Sequence, residues 1–241
     1  MVQRQDSIKR MLRCYVPLRT LAMEDAVFPD CFVYLNPKNF RQNIIRIENG
    51  ENVSFYVDGY WFSKVLNLSF NVDTFVGECF DFSGQADELL SIFSRIPVRI
   101  LFCGGSQDEI QKFERFVRNN YPDFRNVFFS HGYVENRELI RIVKENSIGL
   151  CIAGLGTHKQ EEFALAAPCP TLCVGGFISQ TASKAFRYYP SWVTRFNLRF
   201  VYRCATSPKH TYLSIRGYVD SVCTILELRL FGRIVFKCRD G

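Results

Sequence analysis

The chain reads as an α/β protein, and three observations carry that reading. Short β-type runs alternate with helix-patterned segments through most of its length. The run Ile148–Ala153 is apolar without alternation, as a strand buried on both faces is. Several runs end in glycine or a polar residue just before a helical pattern, which is where an open α/β sheet exposes backbone N–H groups. Together these predict a Rossmann-like, mostly parallel open sheet with helices on both faces.

The elements follow in order. Candidate strands are Cys31–Leu35, Val53–Val57, Thr74–Val76, Val98–Cys103, Val127–Ser130, Ile148–Ala153 and Thr171–Val174. Between them lie helical patterns at Asn39–Ile47, Tyr60–Asn67, Gly84–Phe93, Gln107–Asn119, Glu135–Glu145 and Lys159–Leu165. Ser106 ahead of Gln107, Asp108 and Glu109 marks a helix start, as does Asn136 beside Glu135 and Glu138. After about Gly176 the rhythm changes. Ala182–Phe186 and Ser191–Tyr202 read as amphipathic helices, the second opened by Pro190. Arg195, Arg199 and Arg203 recur every four residues and line one face of it. Thr211–Arg216 and Ser221–Cys238 fit a strand pair as well as a helix, with Gly232 a hairpin turn or a helix break. The expected division is a core over residues 1–178 and a basic, aromatic appendage over 179–241.

Composition bounds the function. The 241 residues suffice for one well-packed α/β domain with an appendage. No apolar run approaches the roughly 20 residues that span a bilayer. Near the start, Arg4, Lys9, Arg10 and Arg13 precede only the short run Tyr15–Leu18, too little for a secretory signal, so a cytosolic location is expected. The ten cysteines form no C-x-x-C pair, and Cys169 and Cys173 have no histidine cluster near them. Buried, reduced thiols are expected rather than a zinc site. Charge is unevenly placed: from Lys184 onward there are eleven Lys/Arg against three acids, while the first 183 residues are close to neutral. Basic residues interleaved with aromatics suit an anionic membrane face or a phosphate-bearing substrate, and equally a solvated basic surface. A nucleic-acid-binding module ranks last, because no recognition motif is present.

The stretch GLGTHKQEEFAL, Gly154–Leu165, follows the Ile148–Ala153 strand directly. It is not a dinucleotide fingerprint. Lys159 stands where the third glycine belongs, and the next strand ends without an acid to hold a ribose. The loop fits a phosphorylated ligand other than NAD, or simply a tight turn. Three further strand ends share its edge: Tyr34-Leu35-Asn36-Pro37, Val57-Asp58-Gly59-Tyr60 and Cys103-Gly104-Gly105-Ser106. A carboxylate beside phosphate-friendly glycines is what a transferase needs, a base for an acceptor hydroxyl and a cradle for a diphosphate leaving group. Asp-Gly is also a common turn dipeptide. No Asp-x-Asp pair is present to hold a divalent ion on a nucleotide diphosphate, so helix N-termini and basic side chains are expected to meet that charge.

In this order the segments resemble the WecG/TagA/CpsF glycosyltransferase family, which includes N-acetylmannosaminyltransferases of teichoic acid synthesis. The resemblance covers roughly residues 32–218. The family's T-x-N-P is matched by Tyr34-Leu35-Asn36-Pro37, its P-D-G by Val57-Asp58-Gly59 and its G-G by Gly104-Gly105. Its G-L-G-x-P-K-Q-E is matched by Gly154-Leu155-Gly156-Thr157-His158-Lys159-Gln160-Glu161. Weaker echoes stand at Tyr189-Pro190-Ser191-Trp192 and Leu198-Arg199-Phe200-Val201-Tyr202-Arg203. The chain departs from the family at Tyr34, at His158, at Ser179 and at Ser207-Pro208-Lys209-His210.

The resemblance implies an inverting, metal-independent transfer of a sugar from a UDP-sugar to a polyprenyl-diphosphate-linked saccharide in surface polysaccharide synthesis. The enzyme would use no cofactor and lie peripherally on the inner face of the cell membrane. Asp58 would be the general base, against a turn aspartate, with His131 as a rival base. Gly104, Gly105, Gly154, Gly156, Lys159, Gln160 and Glu161 would hold the donor. Asn36, Arg203 and Arg216 would hold substrate, Asn36 being equally a helix N-cap. The alternative is a non-catalytic nucleotide-sugar-binding or assembly subunit. Donor sugar, linkage and oligomeric state, a homo-oligomer included, stay open.

Overall fold

A computed structural model describes residues 2–23, 27–76, 82–184, 190–196, 198, 201–202, 205 and 208–232. Among these residues six strands, β1 (Cys31–Leu35), β2 (Ser54–Val57), β3 (Ile100–Gly104), β4 (Val127–Ser130), β5 (Leu150–Gly154) and β6 (Thr171–Cys173), form one sheet in the order β2-β1-β6-β5-β3-β4. Every pairing is parallel. Parallel strands need crossover connections, and the helices supply them: α2 (Phe40–Glu48), α3 (Tyr60–Phe70), α4 (Phe82–Phe93), α5 (Gln107–Asn120), α6 (Asn136–Glu145) and α7 (Thr157–Ala166). Helices α8 (Phe177–Lys184), α9 (Ser191–Arg195) and α10 (Pro208–Phe231) follow, and α1 (Val2–Cys14) precedes the sheet.

The two sheet faces are covered by different helices. Ile100, Phe102, Leu150 and Ile152 pack with Leu89, Leu90 and Phe93 of α4, Ile110, Phe113 and Val117 of α5, and Phe177 and Ile178 of α8. The intervening Leu101, Cys103, Cys151 and Ala153 pack with Leu139 and Val143 of α6 and Phe163 of α7. This period-two division is why the strands read as continuously apolar. Phe102 stacks on Phe129 and meets Phe113 and Phe124 edge to face. Each such buried ring stabilises the fold by about 1.5–3 kcal/mol relative to exposure. At the β2 end, Leu35, Phe55 and Val57 pack under α2 and α3, with Met11 of α1 and Ile225 and Leu228 of α10 completing that cluster.

Right-handed crossovers place rightward links on one face and leftward links on the other. The link after β3 runs outward to β4 through α5, and the link after β5 runs back to β6 through α7. Strands β3 and β5 are neighbours, so the chain leaves this adjacent pair in opposite directions. Such a divergence at the carboxyl ends of the strands is where an open α/β sheet forms its ligand crevice.

Most expected strands agree with the structure to within two residues, and β1 and β4 agree at both ends. Thr74–Val76 is not a strand. Asn71 ends α3 in the left-handed region, and the backbone of Phe75 is then satisfied by one side chain, since the Asn67 amide both donates to its carbonyl and accepts from its N–H. A strand ladder is unnecessary when a side chain supplies both bonds. The helix expected at Ala182–Phe186 begins earlier, at Phe177, and Phe186 lies outside the described residues. The one expected at Ser191–Tyr202 is described as helix over Ser191–Arg195, and Arg199 and Arg203 of its basic face lie outside the described residues. Over residues 208–232 the ambiguity resolves into the single helix α10, followed by Gly232 at φ +71, and the rest of the expected Ser221–Cys238 segment lies outside the described residues.

Helix α10 has two apolar faces. Gly217, Ser221, Thr224, Ile225 and Leu228 are buried against the core side. Ile215, Val219, Val222, Leu226 and Leu230, spaced three or four apart, form an exposed stripe on the opposite side. Helix α3, which packs beside α10, carries its own exposed stripe of Trp61, Val65 and Leu68. No helix among the described residues is long and apolar enough to cross a membrane.

Candidate active site

All the strand ends singled out in the sequence lie at the carboxyl edge of the sheet, because every strand is parallel. Gly104 and Gly154 face each other in register across β3 and β5, at the crevice. Their glycine identity is forced by backbone crowding. A Cβ on Gly104 would stand 2.5 Å from the Gly154 carbonyl oxygen, and one on Gly154 2.8 Å from that of Gly175. The N–H of Gly132, after β4, donates to the Gly105 carbonyl at 2.7 Å. Four loops thus meet backbone on backbone.

The two helices that leave this crevice start differently. Ser106 caps α5: its Oγ accepts from the Glu109 N–H at 3.3 Å, and Glu109 Oε2 accepts from the Ser106 N–H at 2.6 Å. This reciprocal box satisfies the helix's first donors with a carboxylate. The Ser106 N–H holds the Glu109 carboxyl below the usual carboxylate range, with the Ser106 and Ser179 hydroxyls adding to the effect against some burial. Helix α7 is preceded by Gly156 as its N-cap, φ +86, with no side-chain cap among the described residues and open space where a Cβ would be. Its positive end is therefore available to an anion.

Three residues of the α7 loop turn inward. Glu161 is fully buried and accepts from Asn39 Nδ2 at 2.9 Å, Asn43 Nδ2 at 3.3 Å and Arg46, whose guanidinium lies 2.8 Å away. Burial raises its pKa, opposed by those hydrogen bonds and by the Arg46 charge. Gln160 is also fully buried, and its Oε1 accepts from the Gly175 N–H at 3.2 Å. Lys159 Nζ donates to the carbonyls of Gly132, at 2.8 Å, and Val134. These side chains fasten α7 to α2 and to the loops after β4 and β6, leaving Thr157, His158 and the first-turn N–H groups at the edge.

Asp58 follows β2, half-buried, with its N–H donating to the Leu35 carbonyl at 2.8 Å. Leu35 and Val57 are register partners, so Asp58 and Asn36 leave the sheet side by side. Tyr34 joins this pair to α7. Its hydroxyl lies 3.2 Å from Thr157 Oγ1, and its ring is 3.3 Å from where a Gly175 Cβ would stand. Burial pushes the Tyr34 phenol up to about 12, the Thr157 hydrogen bond opposes that, and the Asp58 carboxylate adds to the rise.

The loop after β1 is ordered by its own asparagines. Asn36 Oδ1 accepts from the Lys38 N–H and Asn39 Oδ1 from the Asn36 N–H, both at 2.8 Å, while Asn39 Nδ2 also donates to the Tyr34 carbonyl. The middle of α10 rests on this loop. Ser221 Oγ donates to the Pro37 carbonyl at 2.9 Å, and a Cβ on Gly217 would meet Lys38 Cα at 3.0 Å. Arg216, exposed, adjoins that contact. Arg203 lies outside the described residues. His131 sits half-buried after β4, its Nδ1 accepting from the Tyr133 N–H at 3.3 Å.

Asn39, Asn43 and Arg46 were missed as partners of Glu161. Their spacing was the available signal: i, i+4 and i+7 put three polar groups on one face of α2, and a buried polar face requires a buried partner.

The sequence model described as the glycosyl transferase WecG/TagA/CpsF family matches residues 67–229. Over 158 residues the chain is 30% identical to a UDP-Gal:alpha-D-GlcNAc-diphosphoundecaprenol beta-1,4-galactosyltransferase of Shigella boydii, covering 61% of this chain and 65% of that protein. Over 128 residues it is 29% identical to an N-acetylglucosaminyldiphosphoundecaprenol N-acetyl-beta-D-mannosaminyltransferase of Bacillus subtilis (strain 168), covering 50% of this chain and 49% of that protein. The chain therefore spans less than two thirds of the length of either relative. Asn36 and Asp58 precede the family-matched range, whereas the Gly104 and Gly154 loops and Arg216 fall within it.

Proposed function

The chain belongs to the WecG/TagA/CpsF glycosyltransferase family, and on that premise we propose that it moves a hexose or N-acetylhexosamine from a UDP-sugar to a polyprenyl-diphosphate-linked saccharide. The observation that carries this reading is that Asp58 leaves β2 beside β1, whose Tyr34 reaches Thr157 at the glycine-capped start of α7 on the same edge of the sheet. In the proposed reaction Asp58 takes the proton of the acceptor hydroxyl as its oxygen attacks the anomeric carbon. The bond to UDP breaks, its electron pair leaves with the diphosphate, and the anomeric centre inverts. The N–H groups of the first turn of α7, with Arg216 and Arg203, meet the charge on the leaving group. Asn36 orients the acceptor. Lys159, Gln160 and Glu161 serve the donor site by holding the loop on which it stands.

The proposed acceptor is lipid-linked, and the surface of α10 and α3 fits that. The outward stripes on both helices, with Arg216 and Arg229 exposed along α10 and the positive balance of residues 184–241, suit the face of an anionic bilayer. The protein would then lie on the membrane with the Asn36 loop beside the lipid-linked substrate.

The test uses the full chain with UDP-galactose, UDP-N-acetylmannosamine and related donors, a short-chain polyprenyl-diphosphate N-acetylglucosamine acceptor, and mass detection of product. Transfer is expected with at least one donor, and Asp58→Asn lowers turnover by about 10²–10⁴-fold with the fold intact by circular dichroism. Transfer that survives Asp58→Asn removes that residue from the mechanism. UDP binding with no product from any donor favours instead a nucleotide-sugar-binding subunit, the reading to which the departures at Ser179, His158 and His210 point.

A further inference from the structure

Cys151 and Cys169 lie far apart in the family-matched segment yet bring their sulfur atoms to 3.6 Å. The sheet fixes this approach. Cys151 lies in β5 in register with Thr171 of β6, and its N–H donates to the Pro170 carbonyl at 2.9 Å. Thr171 Oγ1 in turn donates to the Cys169 carbonyl at 3.2 Å, and prolines stand on both sides of Cys169. The two thiols are therefore held together by backbone, independently of any ligand.

The two partners are not equivalent. Cys151 is fully buried, whereas Cys169 is half-buried in the loop that follows α7. We propose that Cys169 and Cys151 are a redox-sensitive thiol pair, with Cys169 the sulfur that meets a peroxide and Cys151 the sulfur that resolves it. The hydrogen bond shared with Cys151 lowers the Cys169 pKa, while that bond and burial raise the Cys151 pKa, a division that suits attacker and resolver. In the first step the Cys169 thiolate attacks one oxygen of hydrogen peroxide. The O–O bond breaks, hydroxide leaves and takes up a proton to become water, and Cys169 becomes a sulfenic acid. The Cys151 sulfur then attacks the sulfenic sulfur, its proton departs with the hydroxyl as a second water, and a disulfide remains. Two thiols are oxidised and one peroxide is reduced.

The bond would close the segment between residues 151 and 169, which contains the whole Gly154–Glu161 loop and α7. Oxidation thus staples both ends of the element on which the proposed donor site stands.

The experiment treats the fully reduced chain with equimolar hydrogen peroxide, alkylates the remaining thiols, and maps the peptides by mass without reduction. A peptide pair linked between Cys151 and Cys169, lighter by two hydrogens, is expected, forming about tenfold faster than any oxidation of the wholly buried Cys103 or Cys173. In Cys151→Ser the sulfenic acid on Cys169 persists and reacts with a dione probe. In Cys169→Ser, Cys151 stays reduced. Both residues remaining alkylatable after treatment, or a first linkage that uses the exposed Cys223 or another cysteine instead, overturns the proposal. Because the readout is covalent mapping, the result stands apart from whether the chain transfers a sugar.

Discussion

The starts of α5 and α7 are the same motif twice, a strand that ends in glycine and feeds a helix, on neighbouring strands whose glycines face each other. At α5 the serine and glutamate of a capping box occupy the helix end, and the Glu109 carboxylate sits where an anion would. At α7 a glycine cap leaves the end open, and the acid of its motif points into the core to hold α2. Glycine at a strand end thus reports that backbones approach closely. Whether the following helix can receive a ligand is decided by what its next five residues do with their side chains.

The largest expected effect tests the inward-facing half of that contrast. Glu161→Ala leaves Arg46, nearly buried, and the two asparagines of α2 without their common acceptor. It should cost about 3–5 kcal/mol in chemical denaturation. A cost below about 1 kcal/mol would mean that the network is not what fixes α7. Next comes the open end itself. Thr157→Asp places a carboxylate at the first position of α7, where it should keep or slightly raise stability while weakening UDP binding about tenfold in calorimetry. Unchanged UDP affinity would separate this helix end from the diphosphate. The matching change at the closed end, Ser106→Ala, should lower stability by about 1 kcal/mol and leave UDP affinity alone. If Ser106→Ala weakens UDP binding as much as Thr157→Asp does, the two ends are not distinct.

The smallest effect is in pH. Glu109 has a lowered pKa, so the stability it contributes is present above the ordinary carboxylate value and is lost as pH falls through its folded value. Glu161 has a raised pKa, so the folded state binds its proton more tightly, and stability falls as pH rises from the ordinary carboxylate value to the folded one. Denaturation midpoints across the acidic range should show the first slope vanish in Glu109→Gln and the second in Glu161→Gln. Slopes of the same sign from both residues would contradict the assignment.

The sheet was legible because strands buried on both faces betray themselves as apolar runs, and their ends were marked by Asn36, Asp58, Gly104 and Gly154. The capping box was also in plain sight as Ser106 and Glu109, yet it reads only as a helix start until its neighbour on β5 is known. Thr74–Val76 misled because its period fits a strand, while Asn67, seven residues before Thr74, takes over the bonds of Phe75. The outward and inward faces of α10 gave an ambiguous period for the same reason that makes the helix unusual: it is apolar on two sides. The roles of Lys159, Gln160 and Glu161 depend on which way one helix is rotated, and a single sequence does not carry that angle.

Where α10 crosses the turn at Pro37 and Lys38, Gly217 contributes no side chain to cushion the contact. Rod and turn meet atom against atom, with the Ser221 hydroxyl as a pin. A shift of that rod would pass to the turn beside Asn36, since Gly217 offers no side chain to take it up.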